Sequence, residues 1–267
     1  MIRYLIPFVL LSCFIGACSN SPTQYTDVPF RLKSPMNTDT SGASDASDTL
    51  AIQAIDYNTY FESKSHMGKP LKLVAFGKLA LPSGKIVASD PFFLWDRKPF
   101  NKMVEPGTYD VIACAVNFPE GGERYAAVKI EFKKNRAIRW ELAVTDDSIF
   151  KTLKKDEFYG YSVDCGLGCF VDVKSQEAFN IFCDEFSMRS PNKNIYIHFL
   201  APEFKKNAVY KSDPYDLGSW LNLPIPHQPD LNIIMFNAGW GDGVYPCYWG
   251  MDEKGEVCSL LVDFMVF

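Results

Sequence analysis

Three glycines in five residues mark Gly239-Trp240-Gly241-Asp242-Gly243 as the segment of this chain best suited to chemistry. Glycines permit tight turns and let another group approach the backbone closely. Trp240, Tyr245, Tyr248 and Trp249 place aromatic faces nearby, and Asp242 offers a carboxylate. Aromatic platforms beside a carboxylate suit a sugar-like or cationic small ligand. The competing reading is a glycine-rich strand connection. Asp242 then caps its own backbone amides, and the aromatics belong to the core.

A second segment runs from Asp164 to Asp172, DCGLGCFVD. Gly166-x-Gly168 ahead of a helix is compatible with an anion-binding loop. It lacks the third glycine of a dinucleotide fingerprint and the Lys-Ser of a P-loop. Cys169 could act as a nucleophile only with a basic partner, which His198 or His227 could supply only through the fold. Asp263 sits among Leu261, Val262, Phe264 and Met265. A carboxylate in such a strand must be paired or hydrogen-bonded, or have a raised pKa. Asp164, Asp242 and Asp263 together could form a cluster for hydrolysis or for a hard cation. Asp-x-Asp spacing and an EF-hand-like loop are both absent, so no metal is expected. Asp90-Pro91 reads as the start of a turn. No catalytic set is assigned, and no cofactor is expected.

The chain has 267 residues and a formal net charge of −5, which disfavours binding to phosphate backbones and hence a nucleic-acid partner. Hydrophobic residues make up 47%, enough for a sizeable core. Beyond Cys13 and Cys18 the cysteines are Cys114, Cys165, Cys169, Cys183, Cys247 and Cys258. Their spacing is neither CxxC nor a dense disulfide framework, so buried free thiols with at most one bridge are expected. The three histidines, His66, His198 and His227, are not spaced as paired zinc ligands.

The first eighteen residues, MIRYLIPFVLLSCFIGAC, carry an address. Arg3 supplies a positive start, Leu5 to Ile15 a short apolar run, and Ile15-Gly16-Ala17-Cys18 a small-residue cleavage site ending on a thiol. This is the pattern of a bacterial lipoprotein signal peptide over residues 1–17, with Cys18 as the lipid acceptor. Ser19 is not the Asp that commonly retains lipoproteins at the inner membrane, so an outer-membrane anchor in the cell envelope is expected. Residues 18–49 read as anchor and disordered tether. Of residues 19–49, 21 of 31 are Ser, Thr, Asp, Asn, Pro or Gly. Such a coil spans about 30 Å on average.

Residues 50–267 must position the candidate groups, and they read as one β-rich domain. Leu50 to Phe61 is at best weakly helical. LKLVAFGKLAL and KIVAS flank the turn Pro82-Ser83-Gly84 and suggest a hairpin. TYDVIACAVNF, AAVKIEF and AIRWELAV alternate as antiparallel strands, the last with Ile138, Trp140, Leu142 and Val144 inward. Residues 174–189 form the main helix, capped by Ser175, with an apolar stripe of Phe179, Phe182, Cys183 and Phe186. NIYIHFL and LNIIMFN read as strands. VYPCYWG and EVCSLLVDFMVF flank Asp252 to Gly255 as a final hairpin.

Three stretches carry a resemblance: GKLALPSGKIVASDP (77–91), YSVDCGLGCFVD (161–172) and GWGDGVYPCYWGMDEKGEVCSLLVDF (239–264). In these the chain resembles the bacterial domain-of-unknown-function 4241 family. The resemblance implies one β-rich domain and nothing about a substrate. The leader and tether stand outside it. The expected fold is α+β, mostly antiparallel and sandwich-like, with one main helix. The expected function is a lipid-anchored, non-catalytic binding or interaction module, reaching the membrane through its lipid and a small molecule or protein through Trp240, Asp242, Tyr245, Asp164 or Asp263. The alternative is an envelope hydrolase using an aspartate cluster or Cys169.

Overall fold

A computed structural model describes residues 30–31, 52–53, 55–154 and 157–267. The leader, Cys18 and most of the expected tether lie outside the described residues. Strands are numbered in chain order: β1 (Phe30–Arg31), β2 (Ile52–Gln53), β3 (Ser65–His66), β4 (Lys69–Leu81), β5 (Ile86–Ser89), β6 (Gly107–Phe118), β7 (Gly122–Glu131) and β8 (Arg139–Leu142). Then come β9 (Glu157–Phe158), β10 (Tyr161–Val163), β11 (Leu167–Asp172) and the main helix, Val173–Arg189. β12 (Trp220–Ile225), β13 (Gln228–Asn237), β14 (Gly243–Tyr245), β15 (Cys247–Met251) and β16 (Val257–Asp263) follow. No helix among the described residues is long and apolar enough to cross a membrane.

The strands form a curled eight-stranded sheet, β2-β8-β15-β16-β7-β6-β4-β3, and a four-stranded sheet, β12-β13-β11-β5. Every pairing is antiparallel, including the small pairs β10-β14 and β1-β9. β1 falls within the span expected as tether.

Period-two alternation sorts the side chains into two cores. Phe170, Ile234, Phe236 and Ala88 of the smaller sheet face Phe76, Val128, Ile130, Trp249 and Leu260 of the larger one. Their neighbours Val87, Cys169, Val171, Ile233 and Met235 face the opposite way, against Ala178 and Phe179 of the main helix and Leu200 and Phe204. The molecule is therefore a sandwich with a helical third layer. All six residues of β11 are buried.

Full burial leaves the ends of β11 without water as a partner, and aspartates replace it. At its C-terminal end Asp172 accepts from the Ser83 backbone N–H (3.0 Å) and hydroxyl (2.7 Å), just before β5. The same carboxylate caps the main helix by accepting from Lys174 N–H at 2.8 Å. A carboxylate here also meets the positive end of the helix dipole. Ser175, the expected cap, lies inside the first turn and is fully buried. A second seam joins the two sheets. Asn232 accepts from Ala80 N–H and donates to Lys78 O, both at 2.8 Å, and Asn222 donates to Phe76 O at 3.1 Å. These asparagines hold β4 where a bulge between Ala75 and Gly77 turns Phe76 inward, stacked on Trp220 at 5.0 Å.

The structure corrects three further local expectations. Pro82-Ser83-Gly84 does not close a hairpin. β4 pairs with β6 and β5 with β11, so the turn carries the chain from one sheet to the other. Gly84, at φ 71°, is needed there because a Cβ would lie 2.1 Å from Val104 O. NIYIHFL is not a strand. Tyr196–Leu200 is a wide helical turn running into the helix Ala201–Lys205. Tyr196 and Phe199 meet Phe92 and Phe182, spaced as a helix face rather than a pleat. Ile138 is 64% exposed, with Ala137 buried in its place. The final hairpin forms as read, with Gly255 at φ 74°.

Asp172→Ala removes one helix cap and strands two part-buried Ser83 donors. A loss of about 2–4 kcal/mol is expected in urea unfolding at unchanged m-value. A loss below about 0.5 kcal/mol would show that the carboxylate is not needed there.

Candidate functional site

Both glycine-rich segments lie side by side. Ala238 N–H donates to Gly166 O at 2.9 Å, and Asp242 accepts from Gly166 N–H at 3.0 Å. Gly239 adopts φ 33° and Gly241 φ 110°. A Cβ on Gly239 would lie 2.7 Å from that of Phe264, so glycine lets this loop press against the C-terminal strand. Tyr245 donates its hydroxyl to Gly241 O at 2.9 Å and sets its ring edge-on to Phe264.

Beneath this loop pair lies Asp90. The sequence suggests no more than the start of a turn at this residue. Asp90 does cap the turn through Phe92 N–H at 2.9 Å, but its second oxygen accepts from Asp164 N–H (3.0 Å) and Cys165 N–H (2.8 Å). Its carboxyl is fully buried, and burial pushes its pKa up against the opposing pull of those three amides.

Three of the five candidate ligand residues thus share one loop cluster: Asp164 and Asp242 exposed, Tyr245 buried in the core. Trp240 leaves that cluster on the other side. It is 54% exposed, packs on Phe118 at 4.9 Å and lies under the Arg124 guanidinium at 5.4 Å. Asp263 stands apart. Its neighbour Phe264 faces Phe236 and Tyr245 in the inter-sheet core, whereas Asp263 accepts from the Tyr57 hydroxyl and from Met265 N–H, each at 2.8 Å. Tyr57 stacks there on Tyr248 and meets Trp140 edge-on. Burial raises the Asp263 pKa, while its two hydrogen bonds lower it. Among the described residues no group of three or more His, Cys, Asp or Glu is placed to hold a metal ion. Tyr248 and Trp249 are core residues.

The thiols are equally committed. All six described cysteines are free, and four are buried. Burial pushes the Cys169 and Cys247 thiols well above the usual value, and Cys114 and Cys183 to about 12. A thiol held protonated is a poor nucleophile. His198 is occupied at its own helical turn, with Nδ1 2.9 Å from Asn194 O.

One open cleft of about 560 Å³ adjoins Trp240, a size suited to a small ligand. Lys72 on β4, Asn117, Glu123, Arg124 and Tyr125 at the β6–β7 end, and Asn237 and Gly239 form one side. Val209, Tyr210, Asp216 and Ser219 form the other. Lys72 pairs with Glu123 at 3.2 Å, and the Tyr125 and Ser219 hydroxyls meet at 2.6 Å. Asp216 turns both oxygens to its own loop, accepting from Tyr210 N–H and Gly218 N–H, and these bonds lower its pKa. Val209 and Tyr210 are each 70% exposed, and Tyr215 on the same loop 87%. Sequence reasoning missed this wall. The available signal was a run of large apolar side chains in a loop otherwise rich in Asp, Lys, Pro and Gly, AVYKSDPYDLGS. A second, smaller void near Tyr161 and Cys247 has only about 10 Å³, room for about one water.

The buried carboxyls set a pH dependence. Folded Asp263 and Asp90 hold their protons above the ordinary 3.8, so they bind more protons folded than unfolded. Their contribution to stability is full below 3.8 and is lost as pH rises through the folded pKa. Asp263→Asn removes one of these ionisations. Relative to the wild type it should therefore melt worst near pH 4 and gain as pH rises toward 7. Paired thermal melts across that range check this, and a gap that widens against the variant would mean that Tyr57 and Met265 hold Asp263 as an anion. Asp242→Asn keeps an acceptor for one exposed amide, so urea unfolding should register a cost below about 1 kcal/mol.

No curated protein and no solved structure matches this chain. The model of one family, described as a protein of unknown function (DUF4241), matches residues 79–262, from within β4 to the penultimate residue of β16. That span holds the smaller sheet, most strands of the larger one, both glycine segments and most of the cleft wall, and it leaves out β2, β3, most of β4, Tyr57, Lys72 and Asp263. The chain belongs to the DUF4241 family.

Proposed function

We propose that this domain is a non-catalytic binding module, held at a bacterial envelope membrane by a lipid on Cys18, with the outer membrane as its destination. The cleft beside Trp240 is the observation that carries the binding reading. It combines cations, hydroxyls, amides and the exposed aromatic face of Tyr210 in a concave site of ligand size. The groups that a hydrolase would need are engaged elsewhere. Asp90 and Asp263 serve backbone amides and a tyrosine, Asp242 bridges two loops, and Cys169 is sealed in the core. The ligand is a small molecule or a protein segment of the envelope. An acidic chain of this composition is a poor partner for nucleic acid. The anchor rests on the order of charge, apolar run and small residues ahead of Cys18.

Two experiments test this. Membrane fractionation of Cys18→Ser should move the protein from the membrane to the soluble fraction, and continued partition through Cys13 would overturn the anchor. For the cleft, thermal melts with a panel of envelope sugars and peptides should show saturable stabilisation. Tyr210→Ser should abolish it while leaving the unliganded melt within about 2 °C, because that side chain is mostly in solvent. Stabilisation unchanged by Tyr210→Ser would place binding away from the cleft.

A further inference from the structure

Within the cleft, the charges do not balance in the same way. Glu123 is paired with Lys72, and both Asp216 oxygens are occupied by backbone amides. Arg124 is different. Its Nε is shielded from solvent and has no hydrogen-bond partner among the described residues. Its guanidinium lies over the Trp240 ring at 5.4 Å, and no carboxylate forms an ion pair with it among the described residues. A guanidinium held against an aromatic face keeps the N–H groups directed away from the ring available. Partial desolvation makes those groups stronger donors to an anion.

We infer that Arg124 is the anion-recognising residue of the cleft, and that the ligand bears a single carboxylate beside a flat or apolar body. This rests on the binding reading above and narrows it to a chemical class. Arg124 is the cleft cation that forms no ion pair with a carboxylate among the described residues, and its terminal guanidinium nitrogens match the two oxygens of a carboxylate in a fork. A phosphate dianion would need a second free cation, and Lys72 already has a carboxylate partner. The body of the ligand meets Tyr210 and Val209, which are 70% exposed and stand across the cleft. Trp240 positions the guanidinium, which lies over its ring at 5.4 Å, and is packed in turn on Phe118 at 4.9 Å. The aromatic residue singled out in the sequence is thus a positioning residue, and the arginine that it orients makes the contact.

The test uses the full-length protein in detergent and two probes that differ only in charge, N-acetyl-L-tryptophan and N-acetyl-L-tryptophanamide. Indole N–H resonances report on Trp240, assigned through Trp240→Phe. The carboxylate probe should shift the Trp240 signal saturably, and the amide should bind at least about tenfold more weakly. Arg124→Gln should erase that preference, leaving both probes equally weak, while Tyr210→Ser weakens both. Inorganic phosphate should not compete at tenfold excess over the probe. Equal binding of the two probes to the wild type, or a preference that survives Arg124→Gln, overturns the carboxylate assignment while leaving a ligand cleft in place. Effective competition by phosphate also overturns it. If neither probe binds, and the sugar and peptide panel gives no stabilisation sensitive to Tyr210→Ser, the binding reading itself falls. The wild-type comparison of the two probes needs no variant, so it stands even where Arg124→Gln fails to fold.

Discussion

The complete burial of β11 is the constraint on which the rest of this structure depends. A strand covered on both faces gains two sets of packing contacts, but its ends lose access to water. Two buried carboxylates resolve this in a reciprocal way. Asp172 at the end of β11 holds Ser83 at the approach to β5, and Asp90 at the end of β5 holds Asp164 and Cys165 at the approach to β11. The antiparallel pair is clasped at both ends. The asparagine seam from β12 and β13 to β4 then fixes the smaller sheet against the larger.

That frame explains where variable chemistry can sit. The clasp at Asp90 sets the loop 164–166, and Asp242 sets the loop 239–243 against it. Trp240 projects from the second loop towards Phe118 and Arg124. A rigid sandwich thus carries a cleft whose far wall is the loop bearing Val209 and Tyr210. This is the usual division of labour between a packed scaffold and its connections.

A second, independent device lies on the outer face of the large sheet. Tyr57 stacks on Tyr248 and donates to Asp263, so the chain ahead of β3 is pinned to the strand that ends the domain. Both residues of that bond fall outside the span shared with the family.

Local pattern by itself determined the long strands of the large sheet, the main helix and the final hairpin, because alternation and helical spacing are written residue by residue, whereas the two-residue strands β2 and β3 are too short to show a period. It also marked residues 239–243 and 164–172 as unusual, since clustered glycines are visible without a fold. It could not assign strands to sheets. Pro82-Ser83-Gly84 reads the same whether it closes a hairpin or crosses between layers, and only the pairing of β5 with β11 decided this. It misread NIYIHFL because a short apolar run has no period long enough to separate strand from helix. The sequence could not name the partners of Asp90, Asp242 and Asp263, of which one clasps a strand, one joins two loops and one meets a tyrosine. Arg124 gave no signal at all. Its significance lies in a ring more than a hundred positions away and in the lack of a partner for its Nε, and both exist only once the chain has folded.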